Sequence, residues 1–174
     1  PLYILHENQS WIQGLLDELY TRGVTVHLWF IDDGVNGELL DLSQPPPEGV
    51  FFNRMSCSSH TRGRPFAVRY TQILLDWLEM HGRRVVNGSA AFRLEVDKSR
   101  QYMELTAAGI RSPQTWTCTS RESVLEAVER ADRGNNTDDS ALMIKDNQGG
   151  SGSGVYRFKS KGRYDMVKAH LEEK

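Results

Sequence analysis

The sequence predicts an α/β fold in which a small open parallel sheet is followed by a smaller α+β unit. Three observations predict it. A strand, a helix and a strand succeed one another within residues 2–31. Two more short apolar runs, separated by a strongly amphipathic helix, follow before residue 90. Beyond that point the rhythm changes, and a glycine-rich stretch lies between two short strands. At 174 residues the chain fits one domain or two small ones.

Residues 2–5 form a short apolar run that reads as a buried strand. Trp11, Leu15, Leu16 and Leu19 recur at helical spacing, with Ser10 as cap and Gly23 as stop. Residues 24–31, Val-Thr-Val-His-Leu-Trp-Phe-Ile, are β-branched and aromatic and read as a second strand. Strand, helix, strand in this order favours parallel pairing through a right-handed crossover. Asp32-Asp33-Gly34 and Pro45-Pro46-Pro47 mark an extended connector, since three prolines continue neither a helix nor a central strand. Residues 50–52 are a third strand, running into Asn53-Arg54-Met55-Ser56. After Pro65 comes a helix with Phe66, Tyr70, Leu74, Trp77 and Leu78 on one face, closed by Gly82. Residues 84–87 are a short strand that completes the first unit.

In the second half, residues 97–108 read as a helix stopped by Gly109 and Pro113. Residues 115–118 read as a strand. Thr119 and Glu122 have capping-box spacing before a helix carrying Val124, Leu125 and Val128. Residues 133–140 read as a turn, 141–145 and 155–158 as strands, and 164–172 as a last helix. No internal repeat is present.

The bulk properties narrow the function classes. The net charge is −2 with acids and bases interspersed, so no basic face marks a nucleic-acid reader. Cys57 and Cys118 lie far apart without metal-ligand spacing and read as reduced thiols. No apolar run reaches the ~20 residues of a membrane span, and the opening Pro-Leu-Tyr-Ile-Leu reads as a strand rather than a signal peptide. The expectation is a cytoplasmic protein without membrane or nucleic-acid partners; a homo-oligomer is left open. His6, His27, His60, His81 and His170 are scattered and form no nucleophile motif, so they read as structural or solvated. Trp11, Trp77 and Trp116 lie in apolar patterns and read as packing residues. No catalytic acid, base or nucleophile and no metal cluster is picked out.

The stretch Gly149, Gly150, Ser151, Gly152, Ser153 and Gly154 is the strongest candidate for chemistry. Glycines between two strands let the backbone approach a ligand and turn its N–H groups toward an anion. The stretch lacks the Lys-Ser/Thr ending of a Walker loop and does not run from strand into helix, so neither named phosphate motif applies. By composition alone such a Gly-Ser run is more often a flexible linker or loop. Lys145 closes the strand immediately before it, within reach of any phosphate that the loop amides hold.

At this point the residues resemble the ATP-grasp superfamily. Asp97-Lys98, the helix after it, and Ala108-Gly109-Ile110-Arg111-Ser112-Pro113-Gln114-Thr115 resemble that family's D-K … A-G-I-P-x-P-x-T stretch, with Arg111 in place of a frequent proline. Ile144-Lys145 and the run 149–155 resemble its V-K-P … G-S-G-x-G-V strand and lid, with Asp146 where many relatives have proline. Asn53-Arg54 after a strand, the helix after Pro65, and Val86-Asn87 ahead of Asp97-Lys98 resemble the pre-ATP-grasp domain of RimK-type glutamate ligases. The resemblance covers nearly the whole chain and implies two domains: a Rossmann-like pre-ATP-grasp domain at 1–90, and at 91–174 the N-terminal subdomain of an ATP-grasp fold with its glycine lid.

The resemblance also implies a reaction. ATP phosphorylates a carboxylate to an acylphosphate, and an amine, from an amino acid or peptide, displaces phosphate. Lys98 and Lys145 would bind ATP phosphates, and Gly149, Gly150, Ser151, Gly152, Ser153 and Gly154 would close over the β- and γ-phosphates. Asn53 and Arg54, with Ser56 and Arg62, follow a strand's carboxyl end, where α/β folds place ligands; they would line the substrate side or else form an ordinary polar loop. The hinge that holds adenine and the ligands for Mg²⁺ would lie outside this chain, which alone is expected not to turn over substrate. The alternative is a catalytically silent nucleotide-binding or interaction domain of the same ancestry.

Overall fold

The structure, a computed structural model, describes residues 1–32, 40–134, 141–150, 152, 154–159 and 162–173. Two compact units divide the chain, Pro1–Lys98 and Ser99–Lys174.

Unit 1 is built on four parallel strands, β1 (Leu2–His6), β2 (Val26–Phe30), β3 (Val50–Asn53) and β4 (Arg84–Val86), in the order β2-β1-β3-β4. Successive residues of a strand face opposite sides of its sheet, and the two cores follow from that rule. Ile4 packs with Ile12 and Leu16 on the side of helix α1 (Gln13–Thr21). Leu5 faces the other way, into a larger cluster with Trp29, Ile31, Phe51, Leu74, Leu75, Leu78 and Phe92. That cluster is supplied by α2 (Ala67–Met80) and α3 (Ser89–Val96). Leu74, Leu75 and Leu78 are fully buried, and each such side chain stabilises the unit by roughly 1.5–3 kcal/mol before entropy is counted.

The parallel sheet and its helices match the expected α/β class, and local details differ for stated reasons. Residues 9–11 form a 3-10 turn capped by Asn8, whose Oδ1 accepts from the Ser10 N–H at 3.0 Å, so Ser10 is inside the turn rather than its cap. Trp11 is 55% exposed, not core, and lies under the Arg62 guanidinium. Phe66 precedes α2 and is exposed. Helix α3 has no counterpart in the sequence reading. Its N-cap is Gly88, which has no side chain to cap with; Glu79 of α2 does so instead, accepting from the Ser89 N–H at 2.9 Å and Oγ at 2.6 Å. A Cβ on Gly88 would lie 2.0 Å from the Glu79 Oε1, so this long-range cap needs glycine there. The triple proline is held from outside: Arg83 donates to the carbonyls of Pro46 and Pro47.

Unit 2 contains α4 (Lys98–Ala107) apart from its first residue, α5 (Arg121–Gly134), the antiparallel pair β5 (Leu142–Lys145) and β6 (Val155–Phe158), and α6 (Arg163–Glu172). Among its described residues the buried apolar ones are Val128 and Ala131 of α5 and Val167 of α6. Arg163, almost fully buried, joins α6 to Asp132 of α5. Residues 115–118 form no strand. Among the described residues no neighbouring strand supplies a ladder, and the threonine hydroxyls are bonded, Thr115 Oγ1 to the Pro113 carbonyl and Thr117 Oγ1 to Ser99 Oγ. The cap of α5 is a reciprocal Ser120–Ser123 pair rather than Thr119 with Glu122. The Glu122 carboxyl is nonetheless held below its usual range by its own backbone N–H and the Ser120 hydroxyl. Arg133 and Gly134 continue α5, and the rest of the expected turn at 135–140 lies outside the described residues.

Candidate functional site

The hairpin of unit 2 carries the densest set of sequence candidates. Lys145 ends β5 opposite Val155, and the ladder continues one bond further, where the Asp146 N–H donates to the Gly154 carbonyl at 2.9 Å. Proline has no N–H and could not make this bond. The departure from the ATP-grasp pattern at Asp146 therefore closes the base of the hairpin. Gly154 has φ 66°, and a Cβ there would lie 2.0 Å from the Asp146 Oδ2, so backbone geometry and crowding both require glycine. Gly149 and Gly150 are half-buried, while Ser151 and Ser153 lie outside the described residues.

Lys145 is exposed but not isolated. Its Nζ donates to the Tyr102 Oη at 3.2 Å and stands 5.9 Å from the centroid of that ring. Two residues on, Asn147 reaches the first turn of α4: its Oδ1 accepts from the Ser99 N–H at 2.8 Å and from Ser99 Oγ at 2.9 Å. The amides of a helix's first turn lack intrahelical partners, so this bond satisfies a group that α4 cannot satisfy itself. Thr117 Oγ1 donates to the same Ser99 hydroxyl at 2.8 Å. Between α4 and residues 112–117 lies an open cleft of about 570 Å³, with Ser99, Tyr102, Thr106, Gln114 and Thr117 in its walls. Lys98, half-buried, is the first residue of α4, after Asp97 breaks the chain between α3 and α4 with extended backbone (φ −135°, ψ 97°).

The carboxyl edge of the sheet in unit 1 holds the remaining candidates. Asn53 is buried and links two strand ends: its Nδ2 donates to the Asn87 carbonyl at 3.0 Å, and the Asn87 Nδ2 donates back to the Asn53 carbonyl at 3.2 Å. Its Oδ1 accepts from the Met55 N–H. The next residue, Arg54, is exposed, its guanidinium 5.9 Å from the Phe52 ring centroid. Ser56 Oγ is 2.9 Å from Ser58 Oγ, which accepts from Arg62 at 3.0 Å.

The sequence reading missed the acid at the centre of this edge. Glu7 follows β1, and its side chain is 1% exposed. Arg62 bonds it at 2.5 Å and lies over the Trp11 ring, while Arg64 is 3.6 Å from its second oxygen, 3.4 Å from Asp32, and over Phe30. Each arginine is thus held between acid and aromatic ring, which fixes segment 56–64 against the sheet edge. The only sequence signal was a charged residue directly after a buried strand. Beside it, His6 is buried, and burial holds its imidazole below the usual histidine range against a backbone hydrogen bond at Asn8.

Among the described residues, no group of three or more His, Cys, Asp or Glu side chains is arranged to hold a metal ion, and no helix is long and apolar enough to cross a membrane. No family model matches the chain, and no curated protein matches it. Solved structures do. The RimK domain protein ATP-grasp from Sphaerobacter thermophilus aligns over 99% of this chain and 59% of its own, with TM-score 0.66 and 17% identity. D-cycloserine synthetase DcsG aligns over 99% and 54%, with TM-score 0.62 and 18% identity. The ATP-grasp ligase PsnB, complexed with minimal precursor, Mg and ADP, aligns over 97% and 60%, with TM-score 0.61 and 16% identity. The chain spans less than two thirds of each of these structures. It has the fold they share over that part, a mixed α/β fold of the ATP-grasp kind, as its motifs led us to expect.

Proposed function

We propose that a chain with this fold is part of an ATP-dependent ligase that activates a carboxylate as an acylphosphate and joins it to an amine. Unit 1 would serve as the pre-ATP-grasp domain and unit 2 as the first ATP-grasp subdomain. The observation that carries the reading is the hairpin base: Lys145 ends one strand directly beside the Asp146–Gly154 closure, below a loop of glycines. A cation beside a glycine-rich turn, whose backbone can approach a ligand closely, suits a polyphosphate. That fit extends to ATP and does not extend to Mg²⁺, for which this chain offers no ligand cluster among its described residues.

In this reading, Lys98 and Lys145 neutralise phosphate charge, Lys145 lies near the adenine side as well, and residues 149–154 cover the β- and γ-phosphates. A carboxylate oxygen bonds the γ-phosphorus as ADP leaves, and the amine then bonds the acyl carbon as phosphate leaves. Positioning and charge neutralisation are what such a phosphoryl transfer needs from protein. Mg²⁺, when bound through ligands outside this chain, would neutralise further phosphate charge. Arg54 is the substrate-side residue with an available guanidinium, and Asn53 fixes the edge from which it projects.

The test is acylphosphate trapping. The full-length protein, given MgATP, a panel of carboxylic acids and hydroxylamine, is expected to release ADP and form the hydroxamate of at least one acid. ATP binding without hydroxamate across the panel would favour the catalytically silent alternative. Absence of ATP binding would overturn both.

A further inference from the structure

We infer that Tyr102 is a positioning residue for Lys145, holding its ammonium at the hairpin base before any ligand arrives. The inference rests on the phosphate-binding role proposed for Lys145. An exposed lysine carries a long, mobile stem, and a ligand that uses it must order that stem. Here the Tyr102 Oη accepts from Nζ at 3.2 Å, with the ammonium beyond the hydroxyl, 5.9 Å from the ring centroid. The bond restricts the ammonium and leaves it two further N–H donors for an anion.

The alignment of the pair is built into the chain. Ser99 and Tyr102 are three residues apart on α4 and therefore share a face. Their partners, Asn147 and Lys145, are two residues apart where β5 runs out. Ser99, gripped by Asn147 and Thr117, fixes the start of α4, and Tyr102 one turn on meets Lys145. Residue 102 is thus placed through the polar side chains of Ser99, Asn147 and Thr117. A merely structural tyrosine in this half-buried position would not require its hydroxyl to face the one lysine at the strand end.

A double-mutant cycle in the full-length protein, reading ATP and adenosine affinities by titration, tests the inference. Tyr102→Phe keeps the ring and removes the acceptor; Lys145→Met keeps the stem and removes the charge. Tyr102→Phe is expected to weaken ATP roughly three- to tenfold, leave adenosine unchanged, and add nothing in the Lys145→Met background. If Lys145→Met weakens ATP while Tyr102→Phe has no effect, or the same effect in both backgrounds, the positioning role is wrong and the proposed function stands. If Lys145→Met leaves ATP affinity intact, the phosphate role of Lys145 fails and the positioning role fails with it.

Discussion

The two units are held together by different means. Unit 1 packs both faces of a parallel sheet with fully buried leucine, isoleucine and phenylalanine. Among the described residues of unit 2 the buried apolar side chains are Val128 and Ala131 of α5 and Val167 of α6, and polar side-chain bonds join its parts: Arg163 to Asp132, Asn147 to Ser99, and Lys145 to Tyr102. Apolar packing is non-directional and tolerant, whereas hydrogen bonds fix geometry at modest net stability. The unit with the thinner core is the one that carries the hairpin and its lysine, so placement there depends on named polar contacts.

The comparison breaks most visibly at Phe92, which is 1% exposed in the large cluster of unit 1. Phe92→Ala is expected to destabilise the protein by about 3–5 kcal/mol in denaturant unfolding. A loss under 1 kcal/mol would mean that α3 is not seated on the sheet. In unit 2 the largest effect is expected from Gly154→Ala. The left-handed backbone alone costs about 1–2 kcal/mol for a non-glycine residue, and the new Cβ displaces the Asp146 carboxylate as well. Hydrogen exchange at the Asp146 amide should accelerate, because its bond to the Gly154 carbonyl is the one disturbed.

Asn147→Ala is a smaller perturbation, expected to cost about 1 kcal/mol through the lost cap on α4. Faster amide exchange at Ser99 with the sheet amides of unit 1 unchanged would confirm that the loss is local. The smallest effect concerns pH. His6 is kept neutral by burial, so below the ~6.5 of an unfolded histidine the unfolded chain binds a proton that the folded chain does not. Stability contributed by His6 is therefore present above that value and declines as the pH falls through it. His6→Gln should flatten the stability profile below about pH 6.5; an unchanged slope would remove His6 as its source.

The same contrast explains what was legible in the sequence. In unit 1 the strands and α2 announced themselves, since buried runs and helical periodicity reflect the packing directly. What escaped were features made by distant partners: α3, capped by Glu79 across Gly88, and Glu7, whose arginines lie more than fifty residues away. In unit 2 the local motif of Lys145 and the glycines was readable because one stretch of chain carries all of it. Residues 115–118 misled by composition: threonine and tryptophan favour strands, but a ladder needs a neighbour, and here the threonine hydroxyls are bonded to Pro113 and Ser99. The Tyr102–Lys145 pair, 43 residues apart, had no sequence signal at all.

In the proposed function, Lys145 at the end of β5 and Lys98 at the start of α4 hold the phosphates of ATP. Calorimetric titration of MgATP into the full-length protein and its Lys98→Ala and Lys145→Ala variants tests it most directly. Each substitution is expected to weaken ATP about tenfold or more, with adenosine binding little changed. Wild-type ATP affinity in both variants would contradict the account.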